Sequence, residues 1–319
     1  ALNANADADA DADMVVGSPG WDAGVGSPMT GKVEIHFAAG GSAVVEGDPA
    51  LSANFGAAVA VLDMNLDGHD DLVVGAPNAG RKNVSAVVGN YTGSVYVITG
   101  PFIDGEVIKV DDGEASASDD HHVWRVEGGM TWGSFGTSLT TGDCNGDGAL
   151  DLMVSSPYAG NASDAIKSQG RLHVFFATAD LVPSNRRSLA EESADLVLSS
   201  SRNWEWFGSS AAVAVDATTG VRILAVGAPI SHIDGDAGAV GRVYAFDLTA
   251  ALDGGAEGQL VLSAPDDAMW SVVGDEQSAK FGYSIAFGTV DGATMVALSS
   301  PTKTVKTGLL DLRTAHHAG

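Results

Sequence analysis

Two segments of the sequence carry oxygen-bearing side chains at a spacing that suits a metal ion. Both follow the pattern D-x-N-x-D-G-x-x-D, with side-chain ligands at relative positions 1, 3, 5 and 9. Such oxygens can converge on one hard cation, while a backbone carbonyl at position 7 completes the shell and the glycine at position 6 makes the sharp turn. We predict calcium at both loops, with the ligands Asp63, Asn65, Asp67, His69 and Asp71 in the first and Asp143, Asn145, Asp147, Ala149 and Asp151 in the second.

These loops differ from the helix-flanked calcium hand, in which position 12 is a bidentate Glu. Position 12 is Val74 in the first loop and Val154 in the second, and both valines fall in apolar runs typical of a strand. The pattern therefore predicts a β-hairpin version of the same coordination. The alternative is that Asp and Asn only make hairpin turns. That alternative explains one loop but poorly explains several loops in one register.

The opening segment carries a degraded copy of the loop. When Met14 is aligned with Leu72, the turn glycine is replaced by Ala10 but all four ligand positions keep an oxygen side chain. We predict a third calcium site there, with the ligands Asn5, Asp7, Asp9 and Asp13. A later copy has lost the site, because its equivalent positions are Val215, Ala217, Thr219 and Ile223.

A long internal repeat positions these loops. Each copy begins with Phe-Gly and reaches Gly-Ala-Pro or Ser-Ser-Pro after the loop. The interval from Phe to Pro is the same in three copies, which run from Phe55 to Pro77, from Phe135 to Pro157 and from Phe207 to Pro229. A fourth copy, from Phe281 to Pro301, is two residues shorter, and the chain opens inside a fifth that ends at Pro19. An ordinary β-sandwich has no reason to preserve one interval in this way.

Downstream of each Pro, a Gly precedes an alternating β-branched and aromatic strand, as in Gly93 to Ile98 and Gly241 to Phe246. Each repeat thus supplies several short strands, and helical periodicity is confined to Ser188–Ala194. Radially repeated four-stranded sheets build a β-propeller. We predict an all-β propeller with four complete blades and a truncated first repeat, a single region over 1–319 with repeats at approximately 1–50, 51–130, 131–202, 203–276 and 277–319.

Composition limits the partners. The chain of 319 residues has 41 acidic and 16 basic residues and a formal net charge of −25, which opposes binding to the phosphate backbone of nucleic acid and favours divalent cations. No apolar run reaches the roughly 18 residues that a membrane-spanning helix needs. The single cysteine, Cys144, excludes a disulfide framework, and its place between two predicted ligands favours a buried apolar role.

Three N-x-S/T sequons lie in Gly, Asn and Ser-rich stretches that are typical of surface loops. We expect glycosylation at these positions and hence a secreted or extracellular protein. The acceptor residues are Asn83, Asn90 and Asn161.

The sequence offers no convincing catalytic constellation, since it contains no G-x-S-x-G elbow and no H-E-x-x-H pair. His121 and His122 are adjacent and would face opposite sides of a strand, so we interpret them as part of a solvated loop beside Asp119 and Asp120. Tryptophans precede Phe-Gly at Trp132, Trp204 and Trp206. They could form a ligand platform on one face, but a repeated packing anchor is the simpler interpretation.

The Phe-Gly and Gly-Ala-Pro motifs give the chain a recognisable likeness. It resembles the FG-GAP propellers at the head of integrin α subunits and in the C-terminal part of glycosylphosphatidylinositol-specific phospholipase D. Long repeats, tryptophans ahead of Phe-Gly and late repeats without ligands resemble the phospholipase more. Family propellers usually have seven blades, so the chain looks like part of a ring.

The resemblance implies a secreted, calcium-containing glycoprotein. The resemblance to the phospholipase implies a separate zinc-dependent catalytic domain on the same parent chain, and that domain releases lipid-anchored proteins. This part of the chain would then position the substrate or support that domain. The alternative is an integrin-like adhesion propeller that binds extracellular protein ligands without enzymatic activity. A free-standing propeller that binds sugar or protein is a third possibility.

Overall fold

The structure is a computed structural model. It describes residues 13–24, 29–49, 52–80, 91–111, 114–115, 121–160, 168–179, 188–190, 193–232, 238–253, 259–302 and 308–311. These residues divide into two compact units, Ala1–Thr141 with Ala177–Ser193 and Gly142–Phe176 with Ala194–Gly319. The predicted all-β class is confirmed, since nearly all the regular elements are strands.

In chain order the elements are β1 (Met14–Ser18), β2 (Lys32–His36), β3 (Ser42–Glu46), β4 (Ala58–Leu62), β5 (Asp71–Ala76), β6 (Ser94–Ile98), β7 (Val107–Asp111), β8 (Glu114–Ala115), β9 (Val123–Glu127), β10 (Leu139–Gly142), β11 (Asp151–Ser156), β12 (Arg171–Phe175), β13 (Ser188–Ala190), β14 (Leu196–Ser200), β15 (Ser210–Val215), β16 (Arg222–Ala228), β17 (Arg242–Asp247), α1 (Leu248–Leu252), β18 (Leu260–Ala264), β19 (Trp270–Val273), β20 (Ile285–Val290), β21 (Ala293–Leu298) and β22 (Gly308–Asp311).

The strands form one sheet for each repeat. In the first unit the sheet orders are β1-β2-β3-β7-β8 and β4-β5-β6-β9-β13. The next sheet has the order β10-β11-β12-β14-β18, and the boundary between the units falls in β10. The second unit also holds β15-β16-β17-β19 and β20-β21-β22. Four successive strands pairing antiparallel, as in β4-β5-β6-β9, are the arrangement of a β-propeller blade.

The apolar runs become the central strands of the blades. β5, β6 and β11 are buried at every position, as expected of strands covered on both faces, whereas β2 and β3 bury alternate residues. Phe55 and Tyr96 lie edge to face in the core of the first unit, with ring centroids 5.4 Å apart. Phe207 lies 5.7 Å from Tyr244 in the core of the second. The repeated Phe is therefore a core residue.

The Gly before each third strand is required by a close approach between repeats. The backbone N–H of Phe135 donates to the carbonyl of Thr92 at 2.9 Å, and the adjacent Gly93 has a φ of 79°. A Cβ on Gly93 would lie 2.1 Å from the carbonyl oxygen of Phe135. The same contact joins Gly170 to Phe207 in the second unit. Any side chain would push the next repeat away, which explains why Gly recurs there.

A further strand extends three of the sheets, and the sequence pattern did not predict it. β7 pairs in parallel with β3, β13 with β9, and β18 with β14. Each added strand comes from the long connection between the third and fourth strands of the following repeat. It covers the backbone groups at the outer edge of the preceding sheet, which would otherwise be open to pairing with other chains.

Two local expectations need correction. Ser188–Ala194 was predicted to form a helical turn, but its first residues form the strand β13, because pairing with β9 overrides local periodicity. The short helix α1 was not predicted. Its N-cap Asp247 accepts a hydrogen bond from the N–H of Ala250 at 2.9 Å. No helix in the described part of the chain is long and apolar enough to cross a membrane.

Candidate metal centres

The first acidic loop connects two neighbouring strands of one sheet. β4 ends at Leu62 and β5 begins at Asp71, and these two residues are direct cross-strand partners. The loop from Asp63 to Asp71 therefore closes a hairpin whose ends lie side by side. This arrangement brings the first and last predicted ligands into one neighbourhood.

Short-range hydrogen bonds shape that loop. The Asp63 carboxylate accepts from the backbone N–H groups of Asp67 at 3.0 Å and Gly68 at 2.8 Å. Asp67 accepts in turn from the N–H of His69 at 2.9 Å and from the side-chain amide of Asn65 at 2.8 Å. Four predicted ligand residues thus belong to one hydrogen-bonded turn.

Asp71 is the buried member of the set. Its carboxylate accepts from the N–H groups of Met64 at 3.0 Å and Gly100 at 3.2 Å. The pKa of Asp71 is raised to about 7, mainly by burial and in part by the carboxylates of Asp67 and Asp63. The two hydrogen bonds lower this pKa but do not offset the rise. The three carboxylates are thus close enough to repel one another, and a cation between them would relieve that repulsion.

The second loop repeats the first almost bond for bond. Asp147 accepts from the N–H of Ala149 at 2.8 Å and from the Asn145 amide at 2.8 Å. Asp143 accepts from the N–H of Gly148 at 3.2 Å. The buried Asp151 accepts from the N–H of Cys144 at 2.7 Å, as Asp71 does from Met64. The shared sequence pattern therefore produces one local structure in two places.

Position 4 of the loop has a requirement that sequence analysis missed. Leu66 in the first loop and Gly146 in the second both adopt left-handed backbone, with φ values of 56° and 86°. This conformation costs a leucine about 1 kcal/mol or more and costs glycine little. The backbone of the second loop is therefore less strained than that of the first. In the sequence, only the Gly at position 4 of the second loop indicates that this position needs left-handed backbone.

A cationic side chain lies against the second loop. A Cβ on Gly146 would lie 1.7 Å from Nη1 of Arg222, so the glycine leaves room for the guanidinium. Arg222 is the first residue of β16 and belongs to the following repeat. It places a fixed positive charge beside a loop that we expect to bind a cation.

Cys144 has the predicted apolar role. Its side chain is fully buried in the core of the second unit, and burial raises the pKa of its thiol, with Asp151 and Asp143 adding to the effect. The neutral thiol is therefore favoured. The residue does not provide a reactive thiolate next to the loop.

The interpretation of His121 as a solvated loop residue is wrong. Its ring is buried, with Nε2 2.9 Å from Oε1 of Glu106 and Nδ1 2.6 Å from the carbonyl oxygen of Thr99. The ring also stacks on Phe102 at 5.3 Å. His122, its neighbour, is exposed. These contacts hold the connection that carries β7, a tertiary role that local sequence cannot reveal.

Two groups of predicted sites lie largely or wholly outside the described residues. Asp13 is the only described ligand of the opening copy; it is buried and accepts from the N–H of Ala38 at 2.9 Å. The residues outside are Asn5, Asp7 and Asp9 of that copy and the sequon residues Asn83, Asn90 and Asn161.

The donor chemistry of the two complete loops fits a hard cation, while their present side-chain orientation does not yet form a shell. Within the described ranges, no three His, Cys, Asp or Glu side chains converge closely enough to hold a metal. The amide of Asn65 donates to Asp67, so these two side chains would have to turn their oxygens to one centre. Carboxylate, amide and carbonyl oxygens are the ligands that calcium prefers. When bound, calcium would neutralise the clustered carboxylates and cross-link the hairpin.

Comparison with known families identifies the two loop-bearing segments. The FG-GAP repeat family matches residues 55–98 and 135–175, which contain the loops after Leu62 and Gly142. Both segments match the FG-GAP repeat. The predicted resemblance is confirmed on these residues, and the FG-GAP signature spans the inner strand, the acidic loop and the two strands that follow it.

Curated relatives extend the FG-GAP likeness over most of the chain. Phosphatidylinositol-glycan-specific phospholipase D of Homo sapiens is 29% identical over 251 residues, 75% of this chain and 25% of the relative. The protein of that name from Dictyostelium discoideum is 25% identical over 316 residues, 91% of this chain and 30% of the relative. Integrin alpha pat-2 of Caenorhabditis briggsae is 31% identical over 137 residues, 39% of this chain and 9% of the relative. The chain thus spans less than a third of the length of these relatives.

Proposed function

We propose that this chain is a calcium-binding FG-GAP propeller region of a secreted protein related to phosphatidylinositol-glycan-specific phospholipase D. In that protein, residues 1–319 form one region that positions the substrate or supports a catalytic domain on the same parent chain. The observation that carries the proposal is the matched pair of acidic loops, each with three carboxylates and an Asn on a hairpin of the same hydrogen-bonded form.

Calcium explains the loops better than turn formation alone. A turn needs one or two Asp or Asn side chains that accept backbone N–H bonds. Each loop instead gathers three carboxylates, one of them buried, on a chain whose net charge is already −25. Without a cation, such clustering destabilises the folded state.

The extent of the likeness favours the phospholipase over an integrin-like adhesion protein. The Dictyostelium phospholipase aligns with 91% of the chain, whereas the integrin alpha chain aligns with 39%. We therefore place lipid-anchored proteins ahead of adhesion ligands as the partners of the parent protein.

A calcium titration tests the metal sites. We expect calorimetry of the purified chain to detect at least two bound calcium ions, and Asp67→Ala and Asp147→Ala to remove one ion each. Asp216→Ala is the matched control and should leave the number of bound ions unchanged. Asp216 lies in the equivalent hairpin of the next repeat, where its carboxylate accepts a hydrogen bond from Thr219 Oγ1 at 2.6 Å. Absence of calcium uptake, or an equal count in all variants, would reduce the loops to turns.

Chelation provides a second readout. A site that binds only the folded state adds about 2.7 kcal/mol at 100 times its dissociation constant, so two independent sites would add roughly 5 kcal/mol. We expect excess chelator to lower the melting temperature markedly, and readdition of calcium to restore it. An unchanged melting curve would contradict the proposal.

Release of a lipid-anchored reporter from membranes tests the relation to the phospholipase. We expect release by the parent protein and no release by this chain alone, at any calcium concentration. Release by the isolated chain would contradict a supporting role, and no release by the parent would contradict the phospholipase relation.

Mass spectrometry of the secreted protein should find glycans on Asn83, Asn90 or Asn161; unmodified residues at all three would contradict secretion through the glycosylating route.

A further inference from the structure

Two of the three tryptophans ahead of Phe-Gly are not the buried packing anchors that the sequence suggested. Trp132 and Trp204 are 53% and 48% exposed, and Trp206 is only partly buried. An exposed indole loses the benefit of burying a large apolar surface, which is the usual reason for a repeated tryptophan. Their presence at the surface therefore needs another explanation.

Backbone conformation does not explain them either. Trp204 and Trp206 have φ values of 61° and 55°, in the left-handed region, where a bulky residue is a strained outlier. At the positions equivalent to Trp206, other repeats have Asn54 at 55° and Ser134 at 51°, residues that accept this conformation more easily. The loop therefore forms without an aromatic residue, and the tryptophans add strain that folding does not require.

A buried carboxylate holds the second unit's pair in place. Glu205 lies between the two tryptophans in sequence, is almost completely buried and points inward. Its oxygens accept from Ser200 Oγ at 2.7 Å, Ser231 Oγ at 2.6 Å and Tyr244 Oη at 2.9 Å. On either side of this buried residue, Trp204 is exposed and Trp206 is half-buried. The aromatic pair is thus mounted on a rigid support, as expected of a preorganised binding site.

Uncharged hydrogen-bonding groups surround these rings. Tyr158 lies edge to face with Trp206, with centroids 5.0 Å apart. Beside Trp204, the exposed Asn203 amide accepts a hydrogen bond from the Gln169 amide at 3.1 Å. Each amide keeps further donor and acceptor capacity for a ligand. The surface therefore combines flat apolar faces with neutral amides, although the charged Arg202 directly precedes Asn203 and Glu205 is buried between the two tryptophans.

An aromatic pair also lies ahead of Phe-Gly in the first unit. Tyr91 lies 5.0 Å from Trp132, and both rings are exposed. The N–H of Ser134 donates to the carbonyl of Tyr91 at 3.1 Å, and the N–H of Trp206 donates to that of Ser168 at 3.4 Å. The loop scaffold is thus repeated, and an aromatic pair is retained on both copies, exposed in the first unit and half-buried in the second.

We propose that the surface formed by Tyr158, Trp204, Trp206, Gln169 and Asn203 binds a neutral carbohydrate. The apolar C–H faces of a pyranose ring pack on exposed aromatic rings, and its hydroxyl groups match neutral amides, which both donate and accept. A net charge of −25 opposes sulfated, phosphorylated or sialylated ligands. This site goes beyond the proposed function and does not depend on it, since its residues belong to neither acidic loop.

The test uses the calcium-saturated chain and a panel of immobilised neutral oligosaccharides of glucose, galactose, mannose and N-acetylglucosamine, with sialylated counterparts. We expect at least one neutral glycan to bind, with a blue shift of tryptophan emission, and Trp204→Asn to weaken binding by about tenfold or more. Asn accepts left-handed backbone, so this variant should fold and keep its calcium. Trp204→Phe should retain part of the affinity.

The matched control is Val215→Ala, an exposed apolar residue at the other end of β15, which should bind as the unaltered chain does. Three results would overturn the proposal: no neutral glycan binds, Trp204→Asn binds with unchanged affinity, or sialylated glycans bind better than neutral ones. Self-association that Trp204→Asn abolishes, in the absence of glycan binding, would assign the surface to protein contacts instead. Because calcium uptake is measured separately, failure here leaves the calcium proposal intact.

Discussion

Ser231 Oγ donates a hydrogen bond of 2.6 Å to Oε1 of Glu205, at a point where the carboxylate is almost completely buried. Ser200 and Tyr244 complete a shell of hydroxyl donors around the same group. A buried carboxylate is tolerated only when its oxygens are satisfied in this way. The shell therefore links β14, β17 and the loop after β16 through one side chain.

We predict that Glu205→Ala lowers the free energy of unfolding by about 3 kcal/mol, because it leaves buried hydroxyl groups without their acceptor. Glu205→Gln should cost less, since the hydroxyls can rotate to suit an amide. Urea denaturation measures both effects. The control is Glu34→Ala, which breaks a surface ion pair with Lys32 and should change stability by less than about 1 kcal/mol. Equal losses in all three variants would contradict a supporting role for the shell.

Gly75 should tolerate no side chain. A Cβ at this position would lie 2.2 Å from the carbonyl oxygen of Gly136 in the next repeat. We predict that Gly75→Ala destabilises the fold by about 2 kcal/mol or more in thermal or urea denaturation, because two backbones must separate. Gly80→Ala, where nothing lies within 4 Å of the added atom, should be close to neutral. Equal effects would mean that the repeats are not packed this closely.

His173 should make stability depend on pH. Burial and, to a smaller extent, Arg171 lower its pKa from 6.5 to about 3, so the folded chain keeps the ring neutral while the unfolded chain protonates it. Its contribution is complete above about pH 6.5 and is lost as the pH falls towards 3, by about 1.4 kcal/mol per pH unit. The measurement is urea denaturation between pH 7 and 5 at fixed calcium. His173→Met should flatten this dependence relative to the exposed control His122→Met, and identical slopes would contradict it.

Arg222 should weaken calcium binding at the second loop. Its guanidinium lies against Gly146 and repels a cation held between Asp143 and Asp151. We predict that Arg222→Gln raises calcium affinity there by about tenfold, which corresponds to Coulomb repulsion across several ångströms in a wet environment. Calorimetry in an Asp7→Ala, Asp67→Ala background isolates this site from the other two predicted sites. An unchanged or lower affinity would contradict the effect, and adding Asp147→Ala should abolish the measured binding.

Local features of this protein could be predicted from the sequence because they depend on neighbours in the chain. The hydrogen bonds among residues 63–71 join residues no more than seven positions apart, so the pattern D-x-N-x-D-G-x-x-D carries most of the information by itself; the one distant donor is Gly100, which bonds Asp71. The Phe-Gly repeat likewise predicted the strands and their grouping into sheets. The interval from Phe55 to Pro77 spans β4, the acidic loop and β5, which are neighbours in the chain.

The remaining features depend on residues far apart in the chain. Tyr244 reaches Glu205 across 39 positions, and His121 reaches Thr99 across 22. β18 pairs with β14 because a long connection returns to an earlier sheet. Trp204 is exposed because its neighbour Glu205 is the residue that finds buried partners. The sequence by itself determined the repeat, the strands and the acidic loops. Only the tertiary structure decided which side chains are buried and which remain available to a ligand, because burial is set by the packing of distant segments and local propensity does not encode it.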